Sequence, residues 1–188
     1  MSERAWKPSS EQIQNAFGKK MTDVIGHGLK VLFCGINPSL YSAAVGHHFA
    51  RPGNRFWPTL HAAGFTDRLF NAFEDSQLLE RGYGITNVVE RATATAAELR
   101  PEEYVEGGRR LEAKVRLYGP RVVAVLGVGA YRAAFGKKDA AVGRQEERLG
   151  SALVWVLPNP SGLNAHYRLA DLARVYRELR TLVEQGSE

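Results

Sequence analysis

Apolar residues in this chain fall into short runs separated by longer stretches of mixed polarity. Four runs rich in β-branched and aromatic residues, each bounded by turn-forming residues, predict buried strands at 30–36, 84–89, 121–126 and 152–157. Between and around them, helical spacing and capping residues predict helices at 11–17, 54–64, 72–81, 101–118, 129–135 and 167–185. The last of these helices carries an apolar stripe that runs from Leu169 to Val183.

The alternation of strands and helices indicates how the strands are joined. Parallel strands need crossover connections, which are usually helices. The pattern therefore predicts an α/β fold: a three-layer α/β/α sandwich around a short, mostly parallel sheet of four strands. In such sheets the ligand site lies beyond the carboxyl ends of the strands. The loops at 36–53, 87–97, 127–130 and 158–166 are therefore the candidate sites.

Composition narrows the class of protein. The chain has 188 residues, 44% hydrophobic and 24% charged, which predicts one domain over residues 1–188 with flexible ends at 1–8 and 186–188. The apolar runs are too short to span a membrane, and the charged first thirty or so positions lack the apolar core of a secretory signal. A single cysteine, Cys34, cannot form an internal disulfide, so we expect a cytoplasmic protein, associated with the nucleoid if bacterial.

The charge balance permits nucleic-acid binding without requiring it. The net charge is +5, and the excess is spread along the chain. A predicted basic loop collects four of the positive residues, Lys137, Lys138, Arg144 and Arg148. A phosphate contact and a solvated face are both open interpretations of this loop.

The tripeptide Asn-Pro-Ser ends two of the predicted strands, at 37–39 and at 159–161, and a leucine follows each copy. Asn-Pro makes good turns, which is the simpler explanation. In a parallel sheet, however, both loops emerge at one edge and can flank one cleft. We call residues 36–53 the first Asn-Pro-Ser loop and residues 158–166 the second Asn-Pro-Ser loop.

A leucine at the tip of the second Asn-Pro-Ser loop suits a particular chemistry. An exposed leucine is normally avoided, but Leu163 could wedge between DNA base steps and open the stack. Enzymes that modify a base need this opening, because the target atom is out of reach inside a duplex. A flipped base also needs an aromatic face, and Phe49 lies in the same loop as Asn37.

Four blocks of sequence, in order along the chain, resemble one known family. The blocks are GINPSL at 35–40, GHHFARPGNRFW at 46–57, GITNVVER at 84–91 and LPNPSGL at 157–163. They resemble the mismatch-specific uracil-DNA glycosylase and thymine-DNA glycosylase branch of the uracil-DNA glycosylase superfamily. The resemblance implies a parallel-sheet α/β/α sandwich. It also implies an enzyme of base excision repair that flips and removes uracil, or a related pyrimidine lesion or thymine, from G mispairs.

The resemblance implies roles for the matching residues. Asn37 would hold the hydrolytic water near C1′ of the sugar and contact the base. Phe49 would stack on the flipped uracil, and backbone groups around Ile36 and Phe49 would hydrogen-bond the pyrimidine edge. Leu163 would fill the vacated stack. The backbone around Gly162 and Asn164 would contact the opposite base. Asn159 would contact the substrate, and Asn87 and Ser161 would contact its sugar-phosphate.

Both motif asparagines are neutral, which bears on the mechanism. The resemblance indicates that the classical branch has an aspartate in the first motif and a histidine in the second, to activate water and to stabilise the departing uracil anion. With Asn37 and Asn159 in those places, we expect a dissociative hydrolysis that depends on easy flipping at mispairs. A carboxylate from elsewhere could assist, and Asp75 and Glu90 flank the second predicted strand. A solvated surface position or a salt bridge is the plainer interpretation of both.

Other kinds of site find less support. The adjacent side chains of His47 and His48 point apart, and no further ligand cluster accompanies them, so we expect no metal. Gly127-Val-Gly129 lacks the third glycine of a dinucleotide site, because Arg132 stands at that offset. A nucleotide-binding oxidoreductase is therefore disfavoured, and we expect no cofactor.

The leading hypothesis is a monofunctional hydrolase, since no lysine lies within either Asn-Pro-Ser motif to support a lyase step. Its partner would be double-stranded DNA that contains G·U or similar mispairs, and we expect a monomer. The alternative is a noncatalytic protein that binds DNA lesions on the same fold.

Overall fold

Five strands form one central sheet in the computed structural model, which describes residues 5–186. The strands are β1 (Val31–Gly35), β2 (Tyr83–Asn87), β3 (Val122–Leu126), β4 (Gly143–Leu149) and β5 (Ala152–Leu157), in the sheet order β2-β1-β3-β5-β4. Strands β2, β1, β3 and β5 are parallel, whereas β4 runs antiparallel to β5. The predicted α/β class is confirmed, but the sheet is mixed and has one strand more than predicted.

Helices connect the parallel strands. Over residues 5–186 they are α1 (Ser10–Gln14), α2 (Leu40–Val45), α3 (Phe56–Ala63), α4 (Pro101–Tyr118), α5 (Val128–Phe135) and α6 (Leu169–Gln185), with 3₁₀ helices at Ala72–Arg81 and Ala96–Glu98. The segment predicted as a helix at 72–81 is therefore 3₁₀. Helix α2 lies inside the predicted loop 36–53. It begins there because the Ser39 hydroxyl accepts a hydrogen bond from the amide of Ser42.

Alternate residues of each strand point to opposite faces of the sheet, and both faces are covered. Val31 and Phe33 of β1 join the apolar core beneath α3 and α6. Leu32 and Cys34 join the second core, beneath α4 and α5. Burial raises the pKa of the Cys34 thiol, so this cysteine is a buried apolar residue and not a thiolate nucleophile.

Strand β4 corrects the predicted basic loop. Arg144 and Arg148 lie in this strand and not in a loop, and Leu149 is its one buried residue. The strand has no alternating apolar face, so the hydrophobic pattern gives no signal for it. It forms because the chain turns back at Gly150 and pairs with β5. Charged side chains on such an edge strand oppose pairing with another chain.

The parallel register brings four strand ends to one edge of the sheet. Gly35 pairs with Asn87, Cys34 with Val125, and Leu126 with Leu157. The loops that follow β1, β2 and β5 therefore all start at this edge, with β3 between β1 and β5.

No helix within residues 5–186 is both long and apolar enough to cross a membrane. The predicted flexible ends fall partly on residues 1–4 and 187–188, which lie outside the described residues. Pro8, within the predicted N-terminal tail, is buried.

Candidate active site

A cavity of about 360 Å³ opens at the carboxyl edge of the sheet, and both Asn-Pro-Ser loops line it. This volume is within the range of small-ligand sites. Eight of the residues predicted for the site lie in its wall: Ile36, Asn37, Phe49, Asn87, Asn159, Ser161, Leu163 and Asn164. Gly162, Asp75 and Glu90 are not among the lining residues. The two loops thus form one site, as their position after parallel strands predicts.

Asn37 is held by its amide nitrogen. Its Nδ2 donates to the backbone oxygen of Arg91 at 3.1 Å and to Oγ1 of Thr93 at 2.7 Å. The hydroxyl of Thr93 donates in turn to the carbonyl of Thr95 at 2.8 Å, so it must accept from Asn37. Both N–H groups are therefore used, and no donor among residues 5–186 reaches Oδ1. The carbonyl oxygen of Asn37 is left to accept a hydrogen bond from a molecule in the cavity.

Phe49 has an unusual backbone conformation. Its φ is +53°, in the left-handed region that aromatic residues seldom occupy. Bonds on both sides hold it there: the amide of Ala50 donates to the Ser42 hydroxyl at 3.0 Å, and the Trp57 indole donates to the carbonyl of His48 at 3.2 Å. The ring of Phe49 stacks on the ring of Phe56, with the two centroids 4.0 Å apart. Such strain is maintained where it positions a functional group.

Asn87 extends from the end of β2 to the floor of the cavity. Its side chain is largely buried, and no group among residues 5–186 hydrogen-bonds its carboxamide. Gly35, its partner in the sheet, makes room for it: a Cβ there would lie 2.6 Å from Oδ1 of Asn87 and 3.2 Å from the Phe49 ring. The carboxamide of Asn87 and the ring of Phe49 therefore both lie beside Gly35. A buried amide without a partner is the kind of group that a polar ligand satisfies.

The second Asn-Pro-Ser loop is a series of tight turns. Oδ1 of Asn159 accepts from the amide of Ser161 at 3.1 Å, and the Ser161 hydroxyl accepts from the amide of Leu163 at 3.2 Å. The carboxamide of Asn164 donates to the carbonyl of Asn159 at 3.0 Å. These turns leave the side chain of Leu163 71% exposed at the tip, beside the cavity.

Asp75 lies behind the cavity. Its carboxylate accepts from Nδ1 of His47 at 3.1 Å and from the backbone amide of His48 at 3.0 Å. These bonds fix the two residues that precede Phe49. The two histidines have different partners, because Nε2 of His48 donates to the carbonyl of Thr22 at 2.9 Å. The structure thus gives Asp75 a part in holding the first Asn-Pro-Ser loop.

Glu90 belongs to an ion cluster outside the cavity. Its carboxylate lies 3.2 Å from Nζ of Lys114 and 3.8 Å from Nζ of Lys20. Lys114 also pairs with Asp23 at 2.7 Å. Burial raises the pKa of Glu90, but the hydrogen bond and charge of Lys114 outweigh it, so the pKa is below its usual value. The salt bridge that the sequence left as the plainer interpretation of Glu90 is present.

The pKa of His48 sets a pH dependence of stability. Burial lowers this pKa below its usual value, despite the carbonyl of Thr22 and the charges of Asp75 and Asp23. As the pH falls, the unfolded chain takes up the proton before the folded protein does. The contribution of neutral His48 to the free energy of unfolding is therefore complete above about pH 6.5 and is lost progressively below it. We expect His48→Gln to reduce the drop in Tm between about pH 7 and about pH 5.5. His166→Gln, at an exposed site, should keep the full drop; equal drops in all three proteins would contradict this.

Sequence reasoning missed several residues that build the site. Thr93 holds the amide of Asn37, and Ser42 holds the backbone beside Phe49. Tyr176 of α6 donates to the carbonyl of Pro158 at 3.0 Å and so fixes the start of the second Asn-Pro-Ser loop. Thr93 and Ser42 lie in loops that the strand pattern marked, whereas Tyr176 lies in a helix. Nothing local identified the partners of these three residues.

The family model of the uracil DNA glycosylase superfamily matches residues 23–180, and the chain belongs to this superfamily. The class of protein that the family and the fold define is a DNA glycosylase. The chain is also similar to a solved structure, the solution NMR structure of a "putative Uracil DNA glycosylase" from Methanosarcina acetivorans. The TM-score is 0.55 and the identity 22%, over 87% of this chain and 99% of that chain. At this identity the likeness shows the shared fold.

Proposed function

We propose that this protein is a monofunctional DNA glycosylase of the mismatch-specific branch, which hydrolyses the N-glycosidic bond of uracil in G mispairs. One observation carries the proposal: the two Asn-Pro-Ser loops, the first of which carries Phe49, line one cavity that has an exposed leucine at its rim. A flipped base needs such a cavity, and the duplex that it leaves needs such a wedge.

The base would be bound by Phe49 and Asn87. The ring of Phe49 supplies a stacking face, supported from behind by Phe56. The carboxamide of Asn87 carries both a donor and an acceptor, which suits the imide edge of uracil. This role places Asn87 at the base, and not at the sugar-phosphate as the resemblance implies.

The chemistry would proceed through neutral groups. The bond between C1′ and N1 breaks first, and its electron pair leaves on uracil, where the Nδ2 of Asn159 can donate to the departing anion. A water held by Oδ1 of Asn37 then attacks C1′ of the sugar cation, and its proton passes to solvent or to uracil. No lysine occurs among the cavity-lining residues within 5–186, which favours hydrolysis over a lyase step.

The proposal is tested with four oligonucleotides that carry G·U, A·U, G·T and single-stranded U. Each is incubated with the protein and then heated in alkali, which cleaves the strand at abasic sites. We expect cleavage from G·U, at a higher rate than from A·U. Binding to G·U without cleavage would instead indicate a noncatalytic lesion-binding protein.

Gly35 offers a test of the base pocket. Gly35→Ala would place a methyl group 2.6 Å from Oδ1 of Asn87 and displace that side chain. We expect excision from G·U to fall about tenfold, and the free energy of unfolding to fall by about 1–3 kcal/mol. The matched control is Gly129→Ala in α5, where nothing lies within 4 Å of the added Cβ. It should keep its activity, and a Gly35→Ala protein with wild-type excision would refute the assigned pocket.

A further inference from the structure

The side chain of Arg55 ties the second Asn-Pro-Ser loop, around its tip, to the start of α3, whereas Tyr176 holds only the beginning of that loop. Its Nη2 donates to the carbonyl of Ser161 at 2.6 Å and to that of Asn164 at 2.9 Å, and its Nη1 donates to the carbonyl of Tyr167. The backbone amide of Arg55 donates to the carbonyl of Pro160 at 3.0 Å. Arg55 therefore binds the main chain on both sides of Leu163.

These contacts require an arginine. Three carbonyl oxygens spread over seven residues are reached by one planar group with fixed donor directions, whereas a lysine offers a single ammonium centre. Nε of Arg55 is buried and has no partner among residues 5–186, so the tether is made by the two terminal nitrogens. Arg55 is not one of the lining residues of the cavity. A direct contact with the base is therefore not its role.

A second contact joins the same two parts of the chain. A Cβ at Gly162 would lie 2.6 Å from the carbonyl oxygen of Gly53, so the two backbones touch. Gly53 and Arg55 follow Phe49 closely along the chain, and Asn54 between them lines the cavity. The segment that shapes the base pocket therefore also holds the loop that carries Leu163.

We propose that Arg55 is a positioning residue that holds Leu163 at the height and angle needed to enter the duplex, and that it couples this wedge to the base pocket. The inference rests on the proposed function and adds to it. Arg55 acts through Leu163, so removing the guanidinium should matter only while Leu163 is present to be positioned.

A double-mutant cycle tests this dependence. We expect Arg55→Met, which keeps the aliphatic stem, to lower single-turnover excision from G·U about tenfold. In a Leu163→Ala background, the same substitution should change the rate less than about twofold. The control is Arg177→Met, which removes another guanidinium–carbonyl bond, that to Ala62 at 2.7 Å, and should leave excision unchanged. Multiplicative effects of Arg55→Met and Leu163→Ala would overturn the proposal.

Hydrogen exchange gives a readout that does not depend on activity. The amides of Leu163, Asn164 and His166 are bonded within the loop, and they should exchange faster in Arg55→Met than in wild type or Arg177→Met. Unchanged exchange at these amides would overturn the proposal. If Arg55→Met does not fold, Arg55→Lys replaces it in both experiments. We then expect a smaller fall in the excision rate and a smaller increase in amide exchange. A wild-type protein that excises no uracil would refute the proposed function, while exchange would still decide whether Arg55 tethers the loop.

Discussion

Replacing Asn37 by alanine is expected to abolish most of the activity: we predict that Asn37→Ala lowers single-turnover excision from G·U by about 100- to 1,000-fold. The variant loses Oδ1, which no donor among residues 5–186 reaches and which the two Nδ2 bonds to Arg91 and Thr93 hold in place to orient water. Binding to the same duplex, measured by fluorescence anisotropy, should stay within about threefold of wild type, since Leu163 and Phe49 are intact.

Two further variants sharpen this test. Asn15→Ala removes an exposed asparagine from the end of α1 and should have no effect on excision. Asn37→Asp introduces the aspartate that the resemblance assigns to the classical branch, yet we expect this variant to be slower than wild type. A carboxylate oxygen would face the carbonyl of Arg91, which now accepts from Nδ2 at 3.1 Å, and two acceptors repel. Wild-type excision by Asn37→Ala would remove Asn37 from the mechanism.

Truncating the wedge is the second large effect that we expect. Leu163→Ala should lower excision from G·U by roughly 10- to 100-fold, since filling the gap left by the base helps to offset an unstacking cost of a few kcal/mol. 2-Aminopurine placed next to the uracil reports the flipped state directly, and its fluorescence increase should be smaller with the variant. The folded state should not suffer, because Leu163 is already 71% exposed.

Leu117→Ala is the matched control for this substitution. Leu117 is 65% exposed on α4 and is not a cavity-lining residue, so its loss should change neither excision nor fluorescence. If Leu163→Ala excised uracil at the wild-type rate, the second Asn-Pro-Ser loop would not act as a wedge.

The sequence predicts that the two Asn-Pro-Ser loops lie at one edge of the sheet, for a physical reason. Four strands carry enough apolar residues to be recognised, and crossovers make them parallel. Parallel strands bring the loops after β1 and β5 to one edge. Eight predicted site residues therefore lie in one cavity, including both asparagines of the repeated tripeptide. Strand β4 escapes this reasoning because pairing with β5, and not apolar patterning, makes it a strand.

The supporting residues are harder to predict, because their contacts join distant parts of the chain. Thr93 lies 56 residues from Asn37, and Arg55 lies 106 residues from Ser161. No local pattern specifies such pairs. The same holds for Asp75: its position next to β2 suggests a catalytic carboxylate, but its bonds go to His47 and His48. Asp75 does not line the cavity but binds the two residues before Phe49, which favours a role in positioning Phe49.

The most direct measurement is the pH dependence of excision, which shows whether a group that titrates near neutral pH takes part in the hydrolysis. Single-turnover excision of uracil from a G·U duplex is measured at saturating protein from about pH 6.5 to about pH 9, above the range in which His48 takes up a proton. Because Asn37, Asn87 and Asn159 do not titrate, we expect a rate that stays level across this range. A rate that changed about tenfold per pH unit, or the absence of any excision, would contradict it.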